Sequence, residues 1–158
     1  MTERYEPASD FLKRVIAEEV PLSGSAAANT NMEKLVALTR DEDTSNRDWA
    51  TMLLGSQDGD TPAIRAALLS AARDECASVR AEALAGIARR DKALALPLVA
   101  QALRGETASM AVFEAAELIA DPALIDLLRP WAAASGDEWL DQLARDALAA
   151  CEKGTSTA

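Results

Sequence analysis

Histidine is absent from this chain of 158 residues. The usual general base near neutral pH and the commonest metal ligand are therefore missing. Cysteine is scarce: Cys76 and Cys151 lie far apart and offer neither a zinc spacing nor a redox pair. Both are expected as buried thiols in a reducing cytoplasm. No early segment has the long apolar run of a signal peptide or a membrane span. The expected location is cytoplasmic, with no membrane partner. Aromatic residues make up 4% and β-branched residues are few, which disfavours sheets. Positive charge is in deficit, with 16 Lys and Arg against 26 Asp and Glu and a net charge of -10. Such a field repels phosphate backbones, so a basic protein surface is a better partner than nucleic acid. What the chain has in abundance is alanine and leucine, which favour helices. Its length suits one domain with room for a core.

Helix signals recur along the chain. Ser9 can cap a helix carrying Phe11, Leu12, Val15 and Ile16, with Pro21 as its stop. "PLSGSAAANTN" then reads as a loop. Paired helices are expected at 31–39 with 45–57, 61–73 with 78–90, 92–104 with 107–120, and 122–133 with 136–151. Thr61-Pro62 and Asp121-Pro122 each place a capping side chain before a proline at the first helical position. Ser45 with Asp48, and Ser135 with Glu138, have capping-box spacing. Gly105 and Gly136 fall in breaks. The domain reading is an N-terminal helix and loop over 1–30, paired helices over 31–151, and a frayed tail over 152–158.

The second helix of each pair carries an apolar stripe. The stripes are Asn46, Ala50, Leu53 and Leu54; Val79, Ala83, Gly86 and Ile87; Val112, Ala116 and Ile119; and Leu140, Leu143, Ala147 and Leu148. One pair alone would leave an apolar face in water. Stacking pairs side by side buries it, which is the logic of a solenoid.

A polar octet recurs within this pattern. "RDEDTSNR" at 40–47 returns as "RDECASVR" at 73–80. Asp41 and Asp74 fall in the turn inside each pair, and Arg47 and Arg80 come six residues later. Each Arg can reach an Asp of its own or an adjoining turn. Such a ladder would align successive repeats. The third pair has Gly105 and Ala111 at these places, so the ladder is expected to end after two repeats.

With "NRDWATMLLG" (46–55), "VRAEALAGIA" (79–88) and Pro97 in "ALALPLVAQAL", these residues resemble the HEAT-repeat family. The segment "RDWATMLLGSQD" is similar to small bacterial HEAT-like proteins, some related to phycobilin lyase subunits. The resemblance implies an all-α fold: a right-handed α-α superhelix of about four HEAT-like pairs plus an N-terminal helix. It also implies that second helices line a concave face.

On that face the residues outside the stripes include Ala81, Ala85, Asp141 and Asp146 together with the candidates for protein binding, Asp48, Trp49, Met52, Glu82, Glu114 and Glu117. Trp49 beside carboxylates would anchor a basic or aromatic partner residue. The alternative is that it packs against the N-terminal helix as end-cap core. Glu82, Glu114 and Glu117 form an acidic stripe or an ordinary solvated face. Glu114 and Glu117 share a face at one helical turn. Two carboxylates without a third ligand imply no metal. Trp131 and Trp139 read as a solenoid cap in preference to recognition. Phe113 and Met110 suit a core or a groove patch equally.

The function expected is a non-catalytic scaffold, not an enzyme, that needs no cofactor and is a monomer when free. It would bind a protein with a basic patch, as an immunity-like inhibitor or an assembly adaptor. An alternative, implied by the resemblance alone, is a subunit of a phycobilin-lyase-like enzyme. A nucleic-acid binder is disfavoured because Arg65, Arg73, Arg89, Arg90 and Arg104 are scattered.

Overall fold

The structure, a computed structural model, describes residues 4–154. Among these the chain is all-α, with nine α-helices, one short 3₁₀ turn and no strand. The helices are α1 (Asp10–Ile16), α2 (Ala26–Leu38), α3 (Thr44–Gly55), α4 (Pro62–Ala71), α5 (Ala77–Arg90), α6 (Lys92–Leu103), α7 (Met110–Ile119), α8 (Ile125–Ala132) and α9 (Glu138–Lys153), with the 3₁₀ turn at Pro122–Leu124. No described helix is long and apolar enough to cross a membrane. The chain forms two compact units, Met1–Ala83 and Leu84–Ala158.

In the first unit α1 packs on α3, α2 packs on α3 and α4, and α3 packs on α4. Short polar side chains start these helices. Ser9, Ser25, Asp43 and Thr61 each accept a backbone N–H three residues on, which satisfies one of the otherwise unpaired donors of a first turn. In α4 the buried residues Ile64, Ala67, Leu68 and Ala71 make one stripe at helical spacing. Leu12, Leu35, Ala50 and Leu54 are also fully buried, and Val79 and Ala83 join Ala71 in a small cluster.

Several local expectations are corrected here. Helix α2 begins at Ala26, inside the stretch read as a loop, because Ser25 caps three successive alanines. Helix α1 ends before Pro21, at Ile16, and Glu18 takes a left-handed φ of 60° that helix cannot continue through. The cap of α3 is Asp43, not a box formed by Ser45 and Asp48. Cys76 is half-buried, not buried.

In the second unit α7 and α8 pack on α9, and α6 packs on α7 and α8. The 3₁₀ turn lies against α8 and α9. Val99, Leu103, Phe113, Ala116, Leu124, Leu128, Ala144 and Cys151 are buried in it. Ala120 ends α7 in the left-handed region, with φ 50° and ψ 41°. Gly154 passes so close that a Cβ there would stand 2.3 Å from the Ala120 carbonyl oxygen.

The buried face of α9 differs from the expected stripe. It consists of Asp141, Ala144, Ala147 and Cys151, while Leu140, Leu143 and Leu148 are half-buried. The buried polar group is satisfied: Asp141 accepts from the Ser135 N–H at 2.9 Å and the Ser135 hydroxyl at 2.6 Å. Ser135 is thereby diverted from capping, and Asp137 caps the helix. Helix α7 starts at Met110, later than expected, after Ser109. Glu152 and Lys153, assigned to the tail, continue α9, and residues 155–158 of that tail lie outside the described residues. Of the expected stripes, Ala50, Leu54 and Ala83 are buried at 0% exposure and Ile87 at 3%.

Candidate functional site

Helix α3 separates its residues by periodicity. Arg47, Ala50, Thr51 and Leu54 are buried. Ser45, Asp48, Trp49 and Met52 follow the i, i+3, i+4, i+7 pattern of a second face and are half-buried. The segment before α1 runs along that face. The Ala8 N–H donates to Ser45 Oγ at 3.2 Å and the Ser9 N–H to Asn46 Oδ1 at 2.8 Å. Pro7, between these bonds and Tyr5, is fully buried.

Tyr5 closes the arrangement. Its ring stacks on Trp49 with centroids 6.0 Å apart and planes inclined by 22°. Its hydroxyl donates to Asp48 Oδ2 at 2.9 Å. Burial of its inner side, and then the bond to Asp48, push the phenol up to about 12. More than half of Tyr5 stays exposed, at 57%. From α5, the Ser78 hydroxyl donates to the same oxygen of Asp48 at 3.4 Å. The Trp49 Nε1–H is buried and meets no acceptor. Trp49 is thus half-buried, with Tyr5 of the segment preceding α1 stacked on its ring. Next to this face Asp43 accepts from the Ser45 hydroxyl and the Asn46 N–H. The Ser45 bond, and then the Asn46 bond, hold its carboxyl below the usual range.

The other candidates belong to both units. Glu82 is half-buried on α5 in the first unit. Glu114 and Glu117 lie on α7 in the second unit. Glu114 is paired with Arg89, and Glu117 is exposed. Trp131 donates to the Leu103 carbonyl at 3.0 Å and meets Phe113 edge-on. Phe113 belongs to the core, whereas Met110 and Trp139 are exposed, at 43% and 61%. Trp139 is thus no cap, because it starts α9 on the side away from the buried stripe.

Among the octet residues, Arg47 belongs to the buried face of α3. Arg47 Nε and Nη2 donate to Asp74 at 2.9 and 3.3 Å, and Arg47 Nη1 donates to the carbonyls of Asp41 and Glu42. Arg80 Nη1 donates to the carbonyls of Asp74 and Glu75. Asp41 accepts from Asn46 Nδ2 at 2.9 Å and from the Asp43 N–H at 3.1 Å.

Burial pushes the Cys151 thiol up to about 11, which leaves it a poor nucleophile at neutral pH. Among the described residues no group of three acidic or thiol side chains is placed to hold a metal ion. Sequence reasoning missed Tyr5 and Ser78. Tyr5 is the single tyrosine and sits in a polar stretch outside any periodic segment, so only its rarity marked it.

The folded chain is an all-α protein, and comparison with known proteins supports that level of description. No family model matches the sequence, and no curated protein matches it. It is similar to the X-ray structure of YibA of Escherichia coli, with a TM-score of 0.59 and 22% identity. The match covers 87% of this chain and 54% of the YibA chain, so the chain spans about half of that structure's length. At this identity the likeness concerns the fold alone.

Proposed function

We propose that the chain is a non-catalytic, HEAT-like scaffold whose helix pairs follow a right-handed α-α superhelix, and that it binds a basic protein. The superhelix reading draws on Arg47 of one pair reaching Asp74 in the turn of the next. The binding reading draws on one observation: an exposed Tyr5 ring backed by Trp49, with the Asp48 carboxylate at its edge. A Lys or Arg side chain laid on that ring would gain a cation–π contact and an ion pair together. The net charge of -10 would steer such a partner toward the surface. An immunity-like inhibitor or an assembly adaptor are the forms this function would take in a cell.

The test is capture from lysate at moderate salt by the full chain and by Tyr5→Ala and Asp48→Asn. Partners would be identified by mass spectrometry and their affinities measured with purified protein. A partner bound by the wild type and lost by both variants is the expected result. Capture of no protein, or of the same proteins by all three, defeats the proposal.

A further inference from the structure

Arg47 and Arg80 are anchored in the same way. Nη1 of Arg47 donates to the carbonyls six and five residues back, both at 3.1 Å. Nη1 of Arg80 does the same to Asp74 and Glu75, at 2.7 and 3.0 Å. This fixes the plane of each guanidinium and leaves one edge, Nε with Nη2, free to recognise a carboxylate. In Arg47 that edge is filled by Asp74 at 2.9 and 3.3 Å, and the residue is 9% exposed. In Arg80 the same edge meets no carboxylate among the described residues, and the side chain is half-buried.

We propose that the Nε–Nη2 edge of Arg80 is a binding site for a carboxylate presented by a turn of another polypeptide. The occupant of the equivalent edge defines the ligand. Asp74 is held ready by its own turn, where its Oδ1 accepts the Cys76 N–H at 2.9 Å. A carboxylate ordered in this way loses little freedom on docking, and two parallel N–H bonds orient it. Free carboxylates share the charge but lack the ordering. The inference does not depend on the Tyr5–Trp49 face.

The experiment uses the full chain labelled with nitrogen-15 and follows the arginine Nε–H resonances by NMR. Arg80→Lys identifies the Arg80 signal, and circular dichroism verifies that this variant remains folded. Three probes are titrated at matched ionic strength in reducing buffer: a blocked peptide RDECAS with the sequence of residues 73–78, the same peptide with Asn for its Asp, and acetate. The expected result is a saturable shift of the Arg80 signal with the Asp peptide, several-fold weaker with the Asn peptide and with acetate, while Arg47 stays unmoved. No shift overturns the proposal. An equal shift with the Asn peptide overturns the assigned carboxylate, and an equal shift with acetate overturns the polypeptide as its source.

Discussion

Arg47 on α3 and Asp74 in the turn before α5 form a two-point ion pair at 2.9 and 3.3 Å, with only 11% and 12% of their side chains exposed. The pair joins residues 27 positions apart. Each partner is also tied to backbone: Arg47 to two carbonyls and Asp74 to the Cys76 N–H. Removing the arginine strands a buried carboxylate and two carbonyls. Arg47→Ala is expected to lower unfolding free energy by roughly 1.5–3 kcal/mol, the scale of hydrogen bonds to a charged group. Urea unfolding followed by circular dichroism measures it, and a loss close to zero would show that water replaces the arginine without cost.

Thr51 is fully buried, and its hydroxyl has no hydrogen-bond partner. An unpaired buried hydroxyl carries a desolvation cost with no compensation. Thr51→Val keeps the shape and removes that cost. A gain of about 1 kcal/mol is expected, seen as a Tm higher by a few degrees. A lower Tm would mean that the hydroxyl is satisfied in solution.

Gly154 sits where any Cβ would meet a backbone oxygen at 2.3 Å, and a carbonyl fixed at the end of α7 cannot swing aside cheaply. Gly154→Ala is therefore expected to destabilise by about 1–3 kcal/mol, although alanine is the better helix former. Thermal unfolding decides the sign, and a stabilised variant would refute the close approach.

The Ser135 hydroxyl, followed by the Ser135 N–H, holds the Asp141 carboxyl below its usual range. The folded-state pKa lies below the unfolded one, so the stabilisation is present above the ordinary carboxylate value of about 3.9 and is lost as pH falls through the folded value. Ser135→Ala should lower Tm at neutral pH, and the gap to wild type should narrow as the solution becomes more acidic. A gap that stays constant from neutral pH into the acid range would argue against this linkage.

Tyr5 is the only tyrosine, so its ionisation can be followed without interference by ultraviolet absorbance. Its midpoint is expected near 12, raised first by burial and then by the bond to Asp48. In Asp48→Asn it should fall back toward the ordinary value of about 10. Because the folded pKa is the higher one, the contribution of this contact to stability is complete below about 10 and disappears as pH rises through about 12. An ordinary midpoint in the wild type would place Tyr5 off the Asp48 face.

Most helices could be located from local chemistry. Thr61-Pro62 and the spacing of Ile64, Ala67, Leu68 and Ala71 define α4 within a few residues because capping and periodicity act over one or two turns. The same rules failed where a side chain had two possible employments. Ser135 has the spacing of a cap, yet it binds Asp141, and α9 buries a face other than the stripe its leucines suggest. Ser25 and three alanines looked like linker because small residues serve loops and helices alike. Of the candidate site, Asp48 and Trp49 were legible as one helical face, but the covering residue was not.

The sequence by itself determined an all-helical chain, the caps at Ser9, Thr61 and Asp121, and the spacing of its Asp and Arg pairs. These depend on interactions among residues within a few positions of one another, and composition sets them directly. Only the tertiary structure decided that Tyr5 covers Trp49, that Arg47 reaches Asp74, and that Arg80 keeps an unfilled edge. Each of those outcomes depends on which segments share space, and no local propensity encodes the distance between Tyr5 and Asp48 across 43 positions of chain.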